Sequence, residues 1–319
     1  MIDSKAGIIG LAIGDAMGVP LEFSIREQLM QNPTTEMEGY GSHNVPKGSW
    51  SDDTSMTLAT IDAIIQDKNI NYNTIGTNFL KWMKNGEYTA NGKVFDIGRT
   101  CLTAISKFEV KQEKAEKCGG TNELDNGNGS LMRILPLVYY CYSRNMDEKE
   151  IYEVVKNVSS ITHGHEISVM GCFIYVMYGI ELLSNKNLLD AYKIIKKIKY
   201  NEYFSKETIN KYDRILKHNI KKYSLNDIKS TGFIINTLEA TLWVLFNTES
   251  YNQSIIGAIN LGDDTDTVGA CVGGLAGLYY RFENINKTWQ KDLLKYDYIV
   301  DLCNKFNEVL NTKESTNLF

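Results

Sequence analysis

The sequence predicts an all-α protein, a compact orthogonal multi-helix bundle, and three observations predict it. Strand signals are nearly absent, with four prolines in 319 residues and few alternating apolar runs. Apolar residues recur instead at spacings of three and four along most of the chain. Connections between these stretches are short, no Pro/Ser-rich linker divides them and no internal repeat is evident, so a single domain is expected over residues 1–311.

In order, helices are expected at 4–17, 54–67, 73–84, 99–109, 131–143, 147–158, 165–184, 187–199, 206–218, 231–247, 251–260, 266–282 and 289–311. The first carries Gly7, Gly10, Gly14 and Gly18, and the 266–282 helix carries Gly269, Gly273 and Gly277. Glycine costs about 1 kcal/mol in a helix interior, so its repetition points to close backbone packing and places both helices at the centre. The 54–67 helix follows Ser51, Asp52 and Asp53, which suit the free N–H groups of a first turn. Ile167 to Leu183 is the longest apolar stretch, but Ser168, two glycines and Glu181 interrupt it and it is short for a bilayer, so it reads as a core helix. Residues 193–229 are rich in Lys and Tyr around an apolar stripe, the pattern of solvated amphipathic helices. The polar, Gly-containing segments Asn32–Trp50 and Lys111–Gly129 read as lid or ligand loops, and 312–319 as a frayed tail.

Hydrophobic residues make up 43% of the chain, enough to bury a core. A formal net charge of −5 argues against nucleic acid as a partner, because phosphate backbones require a basic footprint. An anionic ligand would therefore be held by metals, helix N-termini or single arginines. Six cysteines without C-x-x-C spacing read as reduced, hence cytoplasmic. No signal-type segment opens the chain, so a soluble protein without a membrane partner is expected, taken as a monomer.

The chemistry concentrates in two acidic clusters, Ser51-Asp52-Asp53-Thr54 and Asp263-Asp264-Thr265-Asp266-Thr267, each at the start of an apolar helix. Either alone would pass for an N-cap. Together they are denser in acid than capping requires, and carboxylates gathered in one pocket must be protonated or neutralised by cations. Carboxylates and hydroxyls with no His or Cys among them suit hard ions such as Mg²⁺ or Mn²⁺.

Four further segments accompany them. Gly14-Asp15-Ala16-Met17-Gly18-Val19-Pro20-Leu21-Glu22-Phe23 ends the first helix and sets Glu22 just beyond it. Val94-Phe95-Asp96-Ile97-Gly98-Arg99-Thr100 and the Gly-rich Asn126-Gly127-Asn128-Gly129-Ser130-Leu131-Met132-Arg133 each lead into an expected helix, and Thr162-His163-Gly164-His165 opens the long core helix. With these motifs in order from residue 7 to about 280, the chain resembles the ADP-ribosylglycohydrolases. The shared elements are G-D-A-x-G-x-P-x-E-F, W-S-D-D-T-x-M, D-I-G, N-G-S-x-M-R, T-H-x-H and G-D-D-T-D-T-V-G.

The resemblance implies an all-α fold of that type, two Mg²⁺ or Mn²⁺ ions, and hydrolysis of the glycosidic bond joining ADP-ribose to a protein side chain. Matched position by position, it implies metal ligation by Ser51, Asp52, Asp53, Asp264, Asp266 and Thr267, with Asp263 a poorer candidate because many members carry glycine there. It implies a catalytic role for Glu22, and for Asp96 a role tied to arginine as the acceptor. Gly98, Arg99, Asn128, Gly129, Ser130, Met132 and His163 are candidate ADP-ribose contacts, the loop residues through backbone N–H groups at helix starts. Arg133 divides evenly between ligand contact and a buried structural bridge, and Asp15 reads as readily as a structural hydrogen-bonding residue. A rival from another class is a catalytically inactive relative that binds ADP-ribose or a partner protein. Loss of a ligand or of Glu22 would favour it, and neither is lost. Alternative substrates are ADP-ribosyl-serine and O-acetyl-ADP-ribose. A dinuclear phosphohydrolase fits less well, since no histidine lies within the acidic clusters.

Overall fold

A computed structural model describes residues 1–111 and 113–312. It contains sixteen α-helices and, among the described residues, no strand beyond two isolated bridges, Gly120 with His163 and Gly127 with Phe233. The helices are α1 Lys5–Gly18, α2 Arg26–Gln31, α3 Asp52–Asp67, α4 Tyr72–Asn85, α5 Arg99–Lys111, α6 Pro136–Ser143, α7 Glu148–Ser159 and α8 Glu166–Leu183. They continue with α9 Leu188–Ile195, α10 Lys206–Lys211, α11 Asp213–Leu216, α12 Ile234–Phe246, α13 Tyr251–Ile259, α14 Thr265–Tyr280, α15 Lys287–Asp292 and α16 Tyr296–Asn311.

The centre is the pair α1 and α14, packed backbone to backbone. A Cβ added at Gly10 would lie 2.4 Å from the Gly273 carbonyl oxygen, one at Gly14 2.0 Å from that of Gly269, and one at Gly277 2.1 Å from that of Ala6. Residue numbers ascend along one helix as they descend along the other, so the two run antiparallel. This sets the end of α1 against the start of α14, where Thr265 Oγ1 donates to the Gly18 carbonyl at 2.7 Å. Asp15, wholly buried on α1, accepts from the backbone N–H groups of Ser51 and Thr54 at 2.9 and 3.0 Å and from the Thr54 hydroxyl at 2.5 Å. One side chain thus caps the first turn of α3 and ties it to the seam. Two sequence-distant acidic clusters are brought together by these two contacts.

The expected helices differ from the observed ones in four places. Residues 131–135 are turns and α6 begins at Pro136, because proline offers no N–H to a preceding turn and is favoured at a first helical position. The expected 206–218 helix breaks at Tyr212, whose hydroxyl is anchored on the Ile167 carbonyl at 2.6 Å. The expected 289–311 helix is two, separated by Lys295 in a left-handed conformation, and the 187–199 helix stops at Ile195. Helix α2 is an addition. Its Arg26 joins it to the chain before α14 through the Leu261 and Leu225 carbonyls and the Ser230 hydroxyl. Helix α8 is, among the described residues, long and apolar enough to cross a membrane by length and composition, yet 78% of it is buried inside the protein, as a core helix would be. All six cysteines are buried and unpaired. The expected frayed tail lies, from residue 313 on, outside the described residues.

Candidate active site

A cavity of about 230 Å³ opens where the start of α3, the start of α14, the turn after α1 and the loops before α5 and α6 converge. Glu22, Asp52, Asp96, Asp264 and Thr267 line its acidic side. Asp53 and Asp266, each 1% exposed, lie behind them. The Ser51 hydroxyl donates to Asp53 Oδ2 at 3.0 Å and the Thr267 hydroxyl approaches the same oxygen at 3.4 Å, so the two clusters share hydrogen bonds. One carboxylate oxygen each from Glu22, Asp264 and Asp266 lies within 4.8 Å of the others. Asp264 holds the N-cap position of α14 but makes no capping bond. Its Oδ2 accepts from Asn128 Nδ2 at 2.8 Å instead. Asp263, exposed with a φ of 58°, contributes its backbone to the Phe23 and Ser24 turn.

Burial sets the electrostatics. Desolvation comes first, and neighbouring carboxylates add to it. Asp52, Asp53 and Asp266 are thereby pushed well above the ordinary carboxylate range, and burial takes Asp15 up to about 6. Asp53 Oδ1 is buried with no hydrogen-bond partner among the described residues. A carboxylate oxygen left bare among like charges fits a cation as its missing partner, since an unpaired buried charge is otherwise among the costliest features a fold can carry. The donor set, carboxylates with Ser and Thr hydroxyls, fits a hard divalent ion.

Glu22 is 7% exposed and is held by the Asn32–Trp50 loop. His43 on that loop hydrogen-bonds through Nε2 to Glu22 Oε2, and the Ser42 hydroxyl donates to the Glu22 carbonyl at 2.5 Å. The imidazole also lies 5.2 Å, ring centre to ring centre, from Phe95, and one ligand atom each of Glu22, His43 and Asp96 falls within 4.8 Å of the others. The bond to Glu22 raises the His43 pKa, while burial raises those of Glu22 and Asp96. His43 was missed in the sequence because a lone histidine in a long loop has no spacing to read.

The opposite wall carries no carboxylate. Gly127, Asn128, Gly129, Met132 and His163 line it, with Gly98 and Arg99 at the start of α5. The Asn126–Asn128 segment is fixed by Asn128 N–H to Gly232 O at 3.0 Å and Ile234 N–H to Asn126 O at 3.2 Å. Arg99 is exposed, and its guanidinium reaches the Leu124 carbonyl at 3.3 Å. Two of the candidate residues, Ser130 and Arg133, are not on the cavity lining. Ser130 is fully buried and bonds Cys172 Sγ and the Ser159 hydroxyl, while Arg133 is fully buried and bonds Val158 and Thr162. Both side chains point into the core. The turn at Leu131–Leu135 removes the helix N-terminus expected behind Asn128–Ser130.

A sequence model for ADP-ribosylglycohydrolase matches residues 4–316, which include every element of this cavity. The chain belongs to the ADP-ribosylglycohydrolase family. It is 30% identical over 303 residues to the ADP-ribosylarginine hydrolase Tri1 of Serratia proteamaculans (strain 568), spanning 94% of this chain and 77% of that protein. It is 26% identical over 289 residues to the ADP-ribosyl-[dinitrogen reductase] glycohydrolase of Rhodospirillum rubrum, spanning 89% and 88%. A solved structure titled an ADP-ribosylglycohydrolase-related protein complex superposes with a TM-score of 0.80 at 23% identity, over 97% of this chain and 98% of that one, which shows the shared fold. As an ADP-ribosylglycohydrolase the chain is a hydrolase of ADP-ribosylated substrates.

Proposed function

We propose that the chain removes ADP-ribose from a modified protein side chain, with arginine as the acceptor, and does so with two divalent cations, Mg²⁺ or Mn²⁺, held between the acidic clusters. The observation that carries the metal reading is the bare, buried Asp53 Oδ1 inside a group of carboxyls that burial and mutual repulsion push upward. Arginine is supported by the ADP-ribosylarginine hydrolases of Serratia proteamaculans and Pseudomonas putida (strain GB-1), 30% and 29% identical to this chain, and by the presence of Asp96 on the cavity wall.

Asp52, Asp53, Asp264 and Asp266, with the hydroxyls of Ser51 and Thr267, would hold the cations, which when bound supply charge neutralisation and Lewis acidity toward sugar hydroxyls. Positive charge there would keep Glu22 ionised near neutral pH, able to orient and deprotonate the attacking water. That water adds at C1″ of the ribose as the bond to the acceptor breaks, through an oxocarbenium-like state. Asp96, on a different loop, assists departure of the acceptor. Backbone N–H groups at Gly98, Arg99 and Gly129 would receive the pyrophosphate, beside Asn128, whose own N–H and side-chain amide hold the loop to Gly232 and Asp264.

The test is a panel of ADP-ribosyl-arginine, ADP-ribosyl-serine and O-acetyl-ADP-ribose incubated with Mg²⁺, with products identified by mass spectrometry. Release of ADP-ribose fastest from the arginine conjugate is expected. Glu22→Gln should cut turnover of every substrate with little change in ADP-ribose affinity, and Asp96→Asn should harm the arginine conjugate most. Binding of ADP-ribose without release from any conjugate would replace the enzyme with a binding protein.

A further inference from the structure

A hydrogen-bond chain runs from the core to the glycine-rich wall of the cavity through Arg133, Thr162 and His163. We infer that it fixes His163 as a neutral imidazole carrying its proton on Nε2, a standing donor to an oxygen of the ligand beside Gly127 and Gly129, with Arg133 and Thr162 as positioning residues. The identity of that ligand rests on the proposed function; the protonation state does not.

A guanidinium only donates. Arg133 Nη2 donates to Thr162 Oγ1 at 2.8 Å and to the Val158 carbonyl at 3.2 Å. The Thr162 hydroxyl is also 2.8 Å from His163 Nδ1, and its other side-chain neighbour is the Cys101 thiol, which burial keeps protonated and whose neutral sulfur is a much weaker acceptor than an imidazole nitrogen. A hydroxyl has one proton, and with Arg133 supplying the other bond that proton belongs on the line to Nδ1. Nδ1 then accepts, so the single proton of a neutral ring sits on Nε2. A second proton would have to enter on Nδ1, facing a hydroxyl already turned toward it. Burial and the Arg133 charge oppose this as well, lowering the His163 pKa to about 3.

The backbone that carries the ring is also anchored. His163 N–H donates to the Ser159 carbonyl, and the Ser159 hydroxyl donates to the His163 carbonyl, both at 2.8 Å. A Cβ at Gly127 would stand 3.5 Å from Nε2, and one at Gly129 2.8 Å from Cε1, so this edge of the ring faces the glycine loop. Nε2 has no protein partner among the described residues, and His163 lines the cavity. Arg133 carries a cost that needs a use. It is fully buried over the Phe79 ring at 4.6 Å, with Nε and Nη1 unpaired among the described residues. A methionine would fill that volume without the desolvation penalty, but could not donate to Thr162.

Protein labelled with ¹⁵N-histidine has four such residues to resolve, and a long-range ¹H–¹⁵N correlation spectrum reads each tautomer directly. The His163 signal is assigned by its loss in His163→Gln. The expected result is a neutral ring protonated at Nε2 from pH 8 down to pH 5. Thr162→Val should move His163 toward the Nδ1–H tautomer and weaken ADP-ribose binding by about tenfold, the scale of one hydrogen bond to a charged group, while Thr162→Ser keeps both properties. A parent His163 protonated at Nδ1, or charged at pH 6, overturns the inference without using any variant, so a misfolded Thr162→Val leaves it testable. An unchanged tautomer in folded Thr162→Val also overturns it. Failure of the parent to bind ADP-ribose would instead count against the proposed function, with the tautomer standing.

Discussion

A Cβ added at Gly14 would come within 2.0 Å of a carbonyl oxygen, whereas one added at Gly98, on the cavity wall, would meet nothing within 4 Å. Both glycines precede or belong to helices beside the same site, and they are there for opposite reasons. In the α1–α14 seam the protein's own backbone fills the space a side chain would need. On the cavity wall the space is open, and in the proposed function it is filled by the ligand. Gly129 lies between these cases, since its Cβ would meet Cys101 Sγ and His163 Cε1 at 2.8 Å, both side-chain atoms that form the cavity. A glycine motif in the sequence therefore says that something approaches closely; only the structure says whether it is the chain or a ligand.

Breaking the seam should have the largest effect. Gly14→Ala must push α1 away from α14, and the overpacking should cost about 3 kcal/mol or more, read as a lower urea midpoint or as insoluble protein. Activity should fall only in step with folded protein. A fully stable Gly14→Ala would mean that the seam is looser than its geometry.

Next come the carboxyls that the seam assembles. These groups hold protons more tightly folded than unfolded, so their contribution to stability is lost as pH rises from the unfolded carboxyl range near 4 through the folded values, about 6 for Asp15 and well above the ordinary carboxylate range for Asp52, Asp53 and Asp266. In chelator, the Tm at pH 8 should lie roughly 5 °C below that at pH 6, and Mg²⁺ should remove the difference. Asp266→Asn should raise the chelated Tm at pH 8 by relieving repulsion, yet abolish stimulation of turnover by metal. A Tm indifferent to both pH and metal would detach the acidic pocket from cation binding.

The cavity glycines should give the smallest effects on stability. Gly129→Val should weaken ADP-ribose binding by more than about tenfold in calorimetry, because the added methyls displace His163 or occupy the ligand's place. Gly98→Ala should leave stability within about 0.5 kcal/mol and lower affinity only a few-fold. Equal affinity in both variants and the parent would show that this wall is not a ligand surface.

Much of the centre was legible because it rests on composition at fixed spacing. The glycine stripes identified α1 and α14, and acid in excess of capping need set the clusters apart, as Asp264 now illustrates, at an N-cap yet making no capping bond. The contacts that join them were not legible. Gly18 meets Asp266 only because the helices run antiparallel in one register, and no local pattern encodes that pairing. Asp15 looked ambiguous because its three hydrogen bonds go to residues more than thirty positions away. The turn at Leu131–Leu135 was readable in Pro136, and the expected helix there gave apolar spacing more weight than the missing N–H. That choice put a helix N-terminus behind Ser130, whose side chain lies in the core, while Arg133 is buried there too, one of the two readings its motif left open.

The account's central claim is that acidic groups buried by a glycine seam hold the cations on which hydrolysis depends. Turnover of ADP-ribosyl-arginine by chelator-stripped protein, followed while Mg²⁺ is added back, tests it most directly. The account predicts negligible release of ADP-ribose without metal and recovery that saturates at two bound equivalents. Full turnover in the stripped protein, unchanged by added Mg²⁺ or Mn²⁺, would contradict it.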